Sequence, residues 1–249
     1  MKRMCLPKVI AVTMAVAMSA LFCTACVSVS ETGATTSGTL ATTTEVDNRE
    51  TTEESTEETT TTAKEVSKSE FDIQEYKYES SIGSTYYFLV VKNNSSTAVG
   101  ISFNMVAYDK SNNTIGAGNG SIDIVGPGEE TIGYCFFDDV KGVDHVEYEM
   151  SFDESPYYVP VVGKLEAVKN INKKNVVVTV TNKGDIPAEF VEAHALFFNK
   201  QGTIIGYSSA YLTDDDSEIK PGKKLSAQLD LYKGYNSVKV FFTGRGTDD

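Results

Sequence analysis

From Phe71 onward the chain alternates short apolar runs with clusters of Asn, Gly, Asp and Pro. Residues 85–92 (TYYFLVVK) and 175–181 (NVVVTVT) are dense in β-branched and aromatic side chains, which suit a pleated, half-buried surface. Their apolar positions alternate with a period of two, and turn signals recur roughly every 8–12 residues. No long run follows the 3.6-residue period of a helix. This texture predicts strands joined by short turns, hence an all-β class built from sandwiches.

The texture also repeats. Both runs end in an Asn-containing turn, Lys92-Asn93-Asn94-Ser95 and Thr181-Asn182-Lys183-Gly184. Tyr108-Asp109-Lys110 followed by Thr114-Ile115-Gly116 matches Phe198-Asn199-Lys200 followed by Ile204-Ile205-Gly206, at a constant offset of 90 residues. Pro127-Gly128 pairs with Pro221-Gly222, and residues 143–152 pair with 237–243, both alternating as half-buried strands do. Recurrence of order, turn chemistry and spacing identifies an internal duplication. The expected organisation is two tandem sandwich domains, residues 71–155 and 156–249, joined near Ser155-Pro156. A proline there supplies no ladder hydrogen bond and stops the preceding strand. Each copy is large enough to bury a core without disulfides.

The first 70 residues are of another kind. Lys2, Arg3 and Lys8 precede an uncharged, mostly apolar run over 9–22, shorter than the span of about 18 residues that crosses a bilayer. That is signal-peptide anatomy for residues 1–25. Its end, Cys23-Thr24-Ala25-Cys26, resembles a bacterial lipobox, with Cys23 where Leu is usual. The resemblance implies a lipid on the Cys26 thiol and anchorage at the extracytoplasmic face of the membrane. Ordinary cleavage and secretion is the alternative. Residues 26–70 are mostly Thr, Glu, Ser and Ala, with too little apolar surface to offset ordering entropy, which predicts a disordered tether. Such a segment spans about 35–40 Å on average.

The paired turns and strand ends resemble the FxLYD-type domains of bacterial lipoproteins. In the first copy the motif falls on Met105-Val106-Ala107-Tyr108-Asp109, where Tyr108 and Asp109 match and Met105 and Ala107 replace Phe and Leu. In the second, Ala195-Leu196-Phe197-Phe198-Asn199 matches by character. The resemblance covers residues 75–245 in two passes and implies immunoglobulin-like sandwiches. Its motifs are structural, and it implies no activity.

Charge and chemistry narrow the function classes. The formal net charge is −13, and loss of the leader removes three cations more. Such a surface repels phosphate backbones, so nucleic acid is excluded as a partner. Cys5, Cys23 and Cys26 lie in the leader region, leaving Cys135 alone in the folded part, where a strand interior predicts a buried thiol. His145 and His194 belong to no metal-ligand spacing, and no nucleophile elbow occurs. Asp214, Asp215 and Asp216 form the one dense acidic loop, a candidate for calcium, although the alternation and glycine of an EF-hand are missing. Tyr86-Tyr87 and Tyr157-Tyr158 are candidates for an exposed binding ring. Two small sandwiches with short loops predict no open cleft. The expected protein is therefore non-enzymatic and without a cofactor, an anchored interaction or scaffold module facing a Gram-positive-type wall. A ligand-binding lipoprotein, for cell-wall glycan or a divalent cation, is the alternative. Its expected partners are the membrane through Cys26 and a wall component or surface protein.

Overall fold

The computed structural model describes residues 65–212 and 216–247. The expected leader, Cys26 and most of the tether lie outside the described residues. The chain divides into two compact units, residues 1–59 and 60–249, and everything below concerns the second.

Six strands make the first repeat: β1 (Phe71–Glu79), β2 (Thr85–Asn93), β3 (Val99–Tyr108), β4 (Thr114–Val125), β5 (Glu130–Phe137) and β6 (His145–Asp153). Seven make the second: β7 (Leu165–Ile171), β8 (Asn175–Asn182), β9 (Ala188–Phe198), β10 (Ile204–Tyr211), β11 (Glu218–Ile219), β12 (Lys224–Asp230) and β13 (Ser237–Arg245). All pair antiparallel. Sheets of order β1-β2-β5 and β4-β3-β6 face each other in the first repeat. The second repeats that wiring as β7-β8-β12 and β10-β9-β13, with the short β11 also paired to β9. The fold is all-β, and the duplication read from the sequence extends to strand order.

Alternation explains the cores. Leu89, Val91, Ile101, Phe103, Met105 and Phe137 point inward in the first repeat, as Val176, Val178, Val180, Ala195, Phe197 and Leu229 do in the second. At equivalent strand ends sits a wholly buried asparagine. Asn93 Nδ2 donates to the carbonyls of Thr97 and Val125 at 2.8 and 3.1 Å, and its Oδ1 accepts from Ser95 N–H at 2.8 Å. Asn182 makes the same three bonds, to Ile186, Ile219 and Gly184, each 2.8 Å. Its carbonyl and that of Asn93 also receive the N–H of Gly222 and Gly128 at 2.8 Å. Those glycines follow a proline and adopt φ of +73° and +76°, which a type II turn demands at its third position. Every polar group of each asparagine is thus satisfied. Removing one amide would strand buried partners at about 1–3 kcal/mol each.

The repeats are not separate beads. β2 and β9 carry the apolar runs Phe88-Leu89-Val90-Val91 and Ala195-Leu196-Phe197-Phe198. One alternate set enters its own core, and the other points out of the sandwich. Those outer faces meet: Phe88, Val90 and Ile132 of the first repeat pack on Leu196, Phe198 and Phe241 of the second. Tyr76, Tyr86 and Tyr207 ring this layer, with Phe88 and Tyr207 centroids 4.8 Å apart. The sheets therefore stack in four layers, β4-β3-β6, β1-β2-β5, β10-β9-β13 and β12-β8-β7.

Polar ties close the edges of this layer. Thr131 Oγ1 donates to the Phe242 carbonyl at 2.9 Å, Lys239 Nζ donates to Tyr76 Oη at 2.7 Å, and Arg245 pairs with Asp123. The connecting segment is pinned as well, because Gly163 N–H donates to Glu129 at 2.6 Å and Val159 bridges Gly246.

If this third apolar layer, packed between the two sandwiches, holds the repeats together, Leu196→Ala should destabilise the protein by about 2–5 kcal/mol, the range for a buried leucine. Urea titration checks this beside Phe197→Ala, whose ring lies in the second core. A cost near zero for Leu196 would mean that the layer opens in solution.

Candidate functional site

The outward face of β9 changes character along its length. Phe198 and Leu196 lie in the dry third layer, His194 sits at its margin, and Glu192 lies beyond it. Tyr207, Ser209 and Tyr211 stand opposite Leu196, His194 and Glu192 on β10. Phe241 and Thr243 stand opposite His194 and Glu192 on β13. Across the seam, the outward face of β5 continues from Ile132 to Tyr134 and Phe136. Where the apolar packing ends, the two repeats diverge and leave a cleft of about 520 Å³. The sequence predicts no open cleft, and the described residues form one where the two sandwiches meet. The cavity is made by their docking, not by their loops.

The floor of the cleft is polar and its rim is aromatic. His194 is almost fully buried, with Nδ1 2.9 Å from the Tyr207 hydroxyl and Nε2 3.5 Å from both Glu192 Oε2 and Thr243 Oγ1. Burial pushes the Tyr207 phenol well above its ordinary value, so it remains a neutral donor. A hydrogen bond from Ser209 reaches the same phenol oxygen. His194 Nδ1 and the Tyr207 hydroxyl thus share a hydrogen bond, while the other ring nitrogen, Nε2, faces Glu192. Burial also pulls the His194 pKa below its usual value, against the opposing pull of Glu192. Tyr211 hydrogen-bonds Glu192, and that carboxylate raises the Tyr211 phenol. The neutral Tyr211 hydroxyl therefore positions the Glu192 carboxylate. Beside it lies His194, whose charged form burial disfavours.

A second charge pair lies at the cleft edge, where Arg245 of β13 meets Asp123 of β4. The Arg245 guanidinium lies 4.1 Å from the Tyr158 ring centroid and 4.7 Å from that of Phe190. Its Nε is buried without a hydrogen-bond partner, covered by those rings. Tyr134, Phe136, Phe190 and Tyr211 remain exposed around the opening. Another cleft, about 590 Å³, is lined by Tyr78, Ile204, Leu231, Tyr232 and Lys233, but it lacks a buried charge.

The residues singled out from the sequence lie elsewhere or play other parts. Asp214 and Asp215 fall outside the described residues, as Cys26 does. Asp216 is exposed and paired with Lys220 Nζ at 2.9 Å, and Glu218 shares that ammonium at 3.3 Å. No cluster of three metal-ligating side chains occurs among the described residues. Tyr87 points into the first core and donates to Glu75, whereas Tyr86 faces the other repeat, its ring centroid 5.2 Å from that of Tyr207. Tyr157 is exposed, and Tyr158 supports Arg245. Cys135 is buried, and desolvation pushes its thiol up to about 11, too high for a reactive thiolate. His145 stacks on Tyr108 at 4.9 Å. The sequence reading missed Glu192, Tyr134, Tyr211 and Arg245. The doubled apolar runs of β2 and β9 were the available signal, since a strand apolar on both faces is covered on both.

Because the His194 pKa is depressed in the folded state, the unfolded chain takes up the proton first as pH falls. The contribution of neutral His194 is therefore intact above about 6.5 and shrinks as pH drops toward the depressed folded value. Melting temperatures measured from about pH 7.5 to 5.5 should fall in the natural protein and fall less in His194→Gln. Equal slopes would remove His194 as the cause.

No family model matches the chain, and no curated protein matches it. Among solved structures it is similar to a red sea bream transglutaminase, at 13% identity and a TM-score of 0.24, over 70% of this chain and 29% of that one. It is similar to a glycosyl hydrolase family 2 member from Bacteroides cellulosilyticus, at 8% identity and a TM-score of 0.18, over 65% of this chain and 24% of that one. The C-terminal globular domain of an oligosaccharyltransferase from Pyrococcus abyssi gives 11% identity and a TM-score of 0.21, over 72% and 47%. The chain spans less than half the length of each of these structures, and TM-scores this low carry no statement about activity.

Proposed function

We propose that the chain is a surface-anchored, non-enzymatic lipoprotein whose paired β-sandwiches act as an interaction module at the extracytoplasmic face. The observation that carries this reading is the third apolar layer. It fixes one repeat on the other and gives the molecule a single pre-shaped head, which loses little ordering entropy when it meets a partner. Upstream, the lipobox-like Cys23-Thr24-Ala25-Cys26 and the Thr/Glu-rich segment supply an anchor and a spacer. Several acyl chains on one anchor hold a protein to a bilayer, where a single chain holds it only marginally.

Tandem FxLYD-like, immunoglobulin-like domains fit the duplicated strand order and the paired Asn and Pro-Gly turns. Asp109 and Asn199 fit it as well, since each caps its hairpin by accepting two backbone N–H bonds at 2.8–3.0 Å. The cleft favours a second reading, a lipoprotein that binds a small ligand, because exposed rings surround a partly buried carboxylate there.

Two experiments test the proposal. Cys26→Ser should release the protein into the medium, measured by fractionation and immunoblotting, and a variant that stays with the membrane would rule out the lipid anchor. The tagged exported chain, incubated with solubilised envelope, should retain a component that excess untagged chain displaces. If nothing is retained, the interaction reading fails.

A further inference from the structure

We propose that the cleft between the repeats is a binding site for an organic ammonium group, with Glu192 as the counter-charge and the exposed rings as its walls. The inference rests on the reading of the head as a binding module, and it does not depend on how the head is anchored.

Three observations converge on this ligand class. The first is an unbalanced charge. Asp123 is neutralised by Arg245, but Glu192, whose side chain is 16% exposed, has no lysine or arginine partner among the described residues. The Tyr211 hydroxyl hydrogen-bonds its carboxylate and His194 Nε2 lies 3.5 Å from it, neither of which cancels its charge. A carboxylate largely withdrawn from water is costly unless paired, and an entering cation would pair it.

The second observation is the wall chemistry. Tyr134, Phe136 and Tyr211 present exposed rings at the mouth. Aromatic faces carry negative charge density and attract alkylammonium ions, the more so where water is thinned. The protein already shows this preference at the neighbouring edge, where Arg245 lies over Tyr158 and Phe190. The third is the field of the whole chain. A net charge of −13 steers cations toward the surface and anions away.

A neutral sugar could also rest on such rings, but it would leave the Glu192 charge without a partner. An anion would be repelled by it. The ligand that answers both the carboxylate and the aromatic faces is an amine in its charged form, such as a lysine-type side chain or a quaternary ammonium.

The test uses the exported chain and Nα-acetyl-lysine N-methylamide, which carries one ammonium, beside its Nε-acetylated neutral twin and N-acetylglucosamine. Protein-observed NMR should show saturable shifts at residues 192–194 and 243–245 with the charged probe alone. Affinity should drop about tenfold or more in Glu192→Gln, a loss of at least about 1.4 kcal/mol. It should also weaken as salt rises from about 50 to about 500 mM. Should Glu192→Gln fail to fold, Tyr211→Ala, an exposed position, carries the same expectation of weakened binding. Equal shifts with the neutral twin or the sugar would overturn the proposal, as would full affinity in both variants. An absence of shifts with every probe would also overturn it, and retention of an envelope component would then still support the interaction reading.

Discussion

The second faces of β2 and β9 have to be covered, and the architecture follows from how that is done. A lone sandwich needs one apolar face per strand. These two strands have two, and in water the surplus would expose Phe88, Val90, Leu196 and Phe198 together. Docking outer face to outer face removes that surface, and at about 25 cal/mol per Å² a few large side chains suffice to make the association decisive. The tyrosines around the layer add ring area to it, and Tyr207 turns its hydroxyl onto buried His194. A two-bead chain becomes a four-layer body.

The cleft is a consequence of the same docking. Flat apolar packing extends as far as Ile132 and Leu196, and beyond it the facing residues turn polar. His194 and Glu192 occupy successive outward positions of β9 as the seam opens. The strand thus passes from apolar interface to a largely buried carboxylate at the cleft within three alternate residues. His194 belongs to both regimes, buried like a core residue yet hydrogen-bonded on one nitrogen and aimed at a carboxylate with the other. Its environment is set by two repeats at once.

Within each repeat the buried asparagines serve a different purpose. Asn93 and Asn182 tie the end of a central strand to the following turn, to the opposite sheet and to the Pro-Gly turn. Apolar side chains could fill the same volume, but they could not fix the register of three segments at one point. A fully satisfied polar group in a core exchanges a little stability for a unique arrangement. The identical bond pattern in both copies explains why the Asn turn was among the clearest repeat signals in the sequence.

The sequence by itself determined what depends on local pattern. Alternation and turn residues sufficed for the strands, because side-chain period and turn chemistry are properties of neighbouring residues. The constant spacing between Tyr108-Asp109 and Phe198-Asn199 disclosed the duplication. Cys135 was legible as buried from its place in a strand interior. What only the tertiary structure decided is the part that creates the site. Tyr134 and Glu192 lie 58 positions apart on strands of different repeats, and no local pattern says that their outer faces meet. The doubled apolar runs announced that β2 and β9 were covered on both sides, but not by what. Hydrophobic burial is non-directional: composition shows that a face must be hidden, and shape complementarity in three dimensions selects its partner.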